Sequence, residues 1–132
     1  IHGKDGIYAG SLLVEMIAVT GRKLSQLYQE IVDRYGPYEM EERDYRFTPE
    51  KKEEIRDLLF HQKALPALSA SVDRVSYLDG CKLYFQGGGW LICRFSGTEP
   101  LLRIFCEMES EARARGLIRE MEAFLGLDGG TT

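Results

Sequence analysis

Apolar residues recur at helical spacing through the first half of the chain and alternate with polar ones through most of the second. Leu12, Leu13, Met16 and Ile17 predict a helix from about Ile7 to Thr20, with Asp5 placed to cap it and Gly21 to stop it. Leu24, Leu27, Tyr28, Ile31 and Tyr35 form the stripe of a second helix, Leu24 to Tyr35, ended by Gly36-Pro37. The stripe reads as core rather than as a partner groove. Two helices alone offer no layer to bury it against, which points to further chain beyond this sequence.

Tyr38 to Phe47 alternates weakly under a heavy load of charge and reads as a linker passing into an edge strand, or as a solvated loop. Thr48 and Pro49 suit the N-cap and first position of a third helix, Glu50, Glu53 and Glu54 suit its positive end, and Ile55, Leu58 and Leu59 give it a buried face. His61, late in this helix, has no partner motif and reads as solvated. From Val72 the period is that of strands. Arg74 to Leu78, Asp79-Gly80 and Cys81 to Gln86 predict a hairpin with a two-residue turn. The glycines 87–89 then turn the chain into Trp90 to Phe95; without a lysine and a following helix they are not a nucleotide cradle. Leu102, Ile104, Cys106 and Met108 mark a half-buried strand. Ser110 caps a last helix whose apolar side is Ala114, Leu117, Ile118, Met121 and Leu125, Gly126 stops it, and Asp128 to Thr132 reads as a tail. The pattern predicts an α+β protein: a C-terminal antiparallel sheet of about four strands with two helices on one face, preceded by two helices. Residues 1–36 and 37–132 form the expected domains.

Composition narrows the function classes. The 132 residues carry 17 Lys and Arg against 21 Asp and Glu, a net charge of -4, which argues against a general nucleic-acid binder. The three cysteines, Cys81, Cys93 and Cys106, lie in strand-like segments without metal-ligand spacing and read as reduced core thiols of a cytoplasmic protein. There is no leader-like start and no membrane-length apolar run, and a first residue Ile reads as a cut from something longer.

The chemistry concentrates in Arg94-Phe95-Ser96-Gly97-Thr98-Glu99-Pro100, followed by Arg103. Arg94 offers a planar fork of donors to an oxyanion, Ser96 and Thr98 add hydroxyls, and Gly97 allows the positive φ with which backbone amides turn inward as an anion nest. Arg103 either faces the anion or pairs with Glu99 and braces the loop, with bracing the preferred role. A tight turn with a solvated arginine needs none of this convergence.

The string Arg94 to Arg103 closely resembles the phosphate-binding loop in the last domain of the α-D-phosphohexomutases, which include phosphoglucomutase, phosphomannomutase and phosphoglucosamine mutase. Lys4-Asp5-Gly6-Ile7 and the helix after it look like the end of that family's third, α/β domain, so the resemblance spans essentially the whole chain. The run Gly88 to Phe95 looks more like the glucose and mannose branch. The resemblance implies a parent enzyme that interconverts hexose 1-phosphate and 6-phosphate. It implies a phosphoserine donor, a magnesium loop and a sugar-selecting loop in the earlier domains, and a hexose 1,6-bisphosphate activator. None of those motifs occurs here, so no catalytic or metal residue is expected in this chain and it is expected to be inactive by itself. Arg94, Ser96, Gly97, Thr98 and Arg103 carry over as the contacts of the substrate phosphate. The implied partners are a phosphosugar and the remaining domains of the parent, with no nucleic acid and no membrane; the last domain is expected to swing as a lid about Gly36-Pro37.

Two other readings compete: a stand-alone phosphate- or anion-binding module without catalysis, and an interaction domain that uses its sheet. The acidic balance opposes nucleic acid as the partner of the latter.

Overall fold

In the computed structural model the chain divides into two compact units, Ile1–Pro37 and Tyr38–Thr132. Residues 3–99 and 101–127 are described; Ile1, His2, Pro100 of the loop string and the expected tail Asp128–Thr132 lie outside them.

The first unit holds helix α1, Gly6–Thr20, and helix α2, Leu24–Tyr35. Asp5 caps α1 by accepting the Tyr8 N–H at 2.9 Å, and the Gly21 N–H returns to the Ile17 carbonyl at 2.9 Å. No residue of either helix is buried, and Tyr28, Ile31 and Tyr35 are exposed. The α2 stripe is therefore uncovered among the described residues, in keeping with the need for a further layer. A pair of helices has no third layer to cover it.

The second unit is an α+β layer. Strands β1 (Glu39–Arg46), β2 (Val72–Ser76), β3 (Cys81–Phe85), β4 (Trp90–Phe95) and β5 (Leu101–Met108) form one antiparallel sheet in the order β1-β5-β4-β3-β2. The sheet has five strands, not about four. The difference lies in the charged segment, whose eight residues Glu39 to Arg46 all pair with β5, so it is a full edge strand and not a solvated loop. Its inward positions explain why: Tyr45 is buried and donates its hydroxyl to Glu122, and Glu41 is buried against Arg115.

Helix α3 (Pro49–Arg56) starts as its sequence dictates, with the Thr48 hydroxyl accepting the Lys51 N–H and Pro49 in the first turn. It widens into a π turn over Asp57–His61, where His61 is exposed and its Nδ1 lies 3.3 Å from Asp57. Helix α4 (Glu111–Leu125) is capped by Ser110 and packs on β5 and β1. Ile55 and Leu59 of the α3 segment and Leu117, Ile118, Met121 and Leu125 of α4 close over Leu83, Leu91, Leu102 and Ile104 in one core. Burying each such side chain contributes about 1.5–3 kcal/mol.

The β2–β3 connection also differs from expectation. The last paired residues are Ser76 and Lys82, so the loop is longer than the two residues Asp79-Gly80. Because Cys81 pairs with Cys93, Gly80 lies beside Arg94; a Cβ there would meet the Cys93 carbonyl oxygen at 2.6 Å. Close approach to β4, together with a φ of +112°, accounts for this glycine. All three cysteines are free and buried. Burial pushes the Cys81 thiol up to about 11 and the Cys106 thiol up to about 12, and raises that of Cys93 well above its ordinary value. Such thiols stay protonated and unreactive.

Candidate functional site

The β4–β5 loop follows from two strands that alternate inward and outward. Leu91 and Cys93 point into the core, so Trp90, Ile92 and Arg94 face outward; on β5, Leu102, Ile104 and Cys106 are buried, so Arg103 faces outward too. The register sets Arg94 directly opposite Arg103. Like charges in that position repel and weaken a sheet. Here each guanidinium is offset by carboxylates from other elements. Arg94 Nη1 lies 3.1 Å from Asp79 Oδ2 of the β2–β3 loop. Arg103 Nε lies 3.6 Å from Asp44 Oδ1 on β1, and its Nη2 lies 3.7 Å from Glu99 Oε2. Arg103 Nε and Asp44 Oδ1 are buried atoms without a hydrogen-bond partner among the described residues, so that pair is held by charge.

The loop is closed at its neck by the Ser96 N–H donating to the Leu101 carbonyl at 2.9 Å. Within it the Ser96 hydroxyl oxygen accepts the Glu99 N–H at 3.2 Å and the Thr98 N–H at 3.4 Å. These bonds leave the Ser96 hydroxyl proton free to donate outward. Gly97 and Thr98 are exposed. Gly97 does not adopt positive φ, contrary to the expected nest, and a Cβ on it would meet no atom of the described residues within 4 Å. The hydroxyl of Ser96 organises the turn instead, so the glycine is not needed for conformation.

Thus Arg94, Ser96, Gly97 and Thr98 are gathered at one end of the β4–β5 hairpin, with Arg103 across from Arg94 and against two acidic side chains. Sequence reasoning missed Asp79 and Asp44. Asp79 was absorbed into a turn signal, and only the pairing of Cys81 with Cys93 carries its loop to Arg94. Asp44 is the register partner of Arg103, a relation fixed by the β1–β5 alignment. Among the described residues no group of three His, Cys, Asp or Glu side chains is disposed to hold a metal ion. No described helix is long and apolar enough to cross a membrane.

Comparison with known proteins agrees along the chain. The family described as "Phosphoglucomutase/phosphomannomutase, C-terminal domain" matches residues 48–124, and the one described as "Phosphoglucomutase/phosphomannomutase, alpha/beta/alpha domain III" matches residues 1–35. A phosphoglucomutase/phosphomannomutase of Thermococcus kodakarensis is 31% identical over 115 residues, covering 87% of this chain and 23% of that protein. A probable phosphoglucosamine mutase of Methanopyrus kandleri is 34% identical over 113 residues, covering 86% of this chain and 23% of its own. A phosphoglucosamine mutase of Cereibacter sphaeroides is 30% identical over 119 residues, covering 90% and 22%. The chain therefore spans under a quarter of the length of these relatives. With both family profiles matched in order, the chain belongs to the phosphoglucomutase/phosphomannomutase family of α-D-phosphohexomutases, whose C-terminal portion it represents.

Proposed function

We propose that the β4–β5 loop binds the phosphate of a hexose phosphate, as part of a parent mutase that moves a phosphoryl group between the sugar's 1- and 6-positions. The observation that carries this reading is the placement of Arg94 opposite Arg103 beside the Ser96 turn. Although carboxylates of the chain offset both guanidiniums, the Arg94 and Arg103 side chains stay 55% and 40% exposed beside the loop, where a phosphate can reach their donors. Arg94 supplies the forked donor, Ser96 its hydroxyl proton, Gly97 an unobstructed backbone and Thr98 a second hydroxyl. Arg103 braces the loop through Glu99 and tempers the acidic side chains around it.

In this role the loop does no bond-making. It fixes one end of the sugar so that the other end meets the reacting group, and positioning of this kind can supply several kcal/mol of barrier reduction. The phosphoserine donor, Mg2+ and the hexose 1,6-bisphosphate activator belong to other parts of the parent, and the chain alone is inactive. Residues 1–36 are assigned to the end of the sugar-binding domain and 37–132 to the phosphate-binding domain. The relatives' names carry both glucose/mannose and glucosamine, and the hexose phosphate is of that class. Isothermal titration of the chain with glucose 1-phosphate at low ionic strength tests the reading. Binding weakened tenfold or more in Arg94→Ala supports it; identical binding in Arg94→Ala contradicts it.

A further inference from the structure

We infer that Asp79 is an internal competitor for the candidate anion site: its carboxylate holds the place on Arg94 that the incoming phosphate must take. The inference rests on the phosphate reading of the loop and adds to it a device that limits affinity. Arg94 and Arg103 bring two positive charges, and three carboxylates, Asp79, Glu99 and Asp44, lie within ion-pair distance of them. These five side chains carry more negative charge than positive, so an approaching dianion gains no net attraction from them as they stand. Withdrawal of one carboxylate removes a repelling charge and frees a guanidinium donor for the anion.

Asp79 is the one built to do so. Its side chain is 70% exposed, against 51% for Glu99 and 32% for Asp44. It sits on a connection outside the strands, whereas Asp44 is fixed in β1. It touches Arg94 through Nη1 at 3.1 Å, a donor the forked grip on phosphate would use. An exposed pair of this kind adds little to the orientation of the arginine, so replacing Asp79 costs little positioning while it removes a charge that repels a dianion. The consequence is a site whose affinity for phosphate is held down by its own carboxylate.

The test is the affinity of the chain for inorganic phosphate at low ionic strength, read from amide chemical shifts of Ser96 to Thr98. Wild type is compared with Asp79→Asn, Arg94→Ala and Glu39→Gln. Glu39 pairs with Met108 at the far end of β1 from Asp44, so it reports what loss of one remote negative charge does. The expected result is Asp79→Asn binding about 3- to 10-fold more tightly, with the gain lost near 1 M salt and no comparable gain in Glu39→Gln. Unchanged or weaker binding by Asp79→Asn, or an equal gain in Glu39→Gln, overturns the competitor while leaving the phosphate reading in place. Binding that does not depend on Arg94 overturns both.

Discussion

Replacing Gly97 with alanine separates the loop's role in folding from its role in binding. A Cβ at this position meets no atom of the described residues within 4 Å, and the backbone is outside the left-handed region. The folded chain therefore tolerates the methyl, while the unfolded chain loses freedom. At a compatible site that exchange stabilises by about 0.4–1 kcal/mol. For a domain of this size it raises Tm by roughly 2–6 °C. Binding responds in the opposite direction. If an anion approaches the bare backbone between Ser96 and Thr98, the methyl occupies that path and costs a charge-assisted amide hydrogen bond of about 1.5–3 kcal/mol. The Kd for glucose 1-phosphate then rises by roughly 10- to 100-fold. Calorimetry gives the stability arm and isothermal titration the binding arm. A variant that is stabilised yet binds normally refutes the backbone contact. A variant that is destabilised refutes the open space assigned to residue 97.

Other consequences follow from single contacts. Ser96→Ala removes the acceptor of the Thr98 and Glu99 amides together with one donor, so phosphate affinity falls about tenfold while Tm moves little; Ser96→Thr restores part of the affinity. Gly80→Ala forces a Cβ to within 2.6 Å of the Cys93 carbonyl oxygen at a φ of +112°, a loss of about 2 kcal/mol readable by urea denaturation. The hydrogen bonds of Arg115 hold the Glu41 carboxyl below its usual range, though burial opposes them. That stability is present above the unfolded carboxyl value of about 4.3 and is lost as pH falls through the lower folded value. The Tm gap between wild type and Glu41→Gln is therefore wide at pH 7 and closes below pH 4, as a pH series of melts will report.

Much of the fold was legible because local chemistry and packing agree. Asp5, Thr48 and Ser110 cap helices α1, α3 and α4 where their side chains predict, and Gly21 and Gly126 end the two helices they follow. The alternation of Leu102, Ile104 and Cys106 states the inner face of β5 outright. What was not legible depends on partners distant in sequence. The strand character of Glu39–Arg46 comes from β5, from Arg115 and from Glu122 beneath it, and a row of charged residues gives little local sign of those. The stripe of α2 is plain in the sequence, but what covers it is not. At the candidate site the arginine, hydroxyls and glycine were legible as one short string. The facing of Arg94 and Arg103 and the acidic ring of Asp79, Asp44 and Glu99 emerge only from strand register. The role of Gly97 was misread because a glycine in a turn suggests conformation, whereas here it leaves space.

The most direct test of the central claim is amide NMR of the chain titrated with glucose 1-phosphate to millimolar concentration. The account predicts saturable shifts centred on Ser96, Gly97 and Thr98 that vanish in Arg94→Ala. Absence of shifts in these amides, or their persistence unchanged in Arg94→Ala, would contradict it.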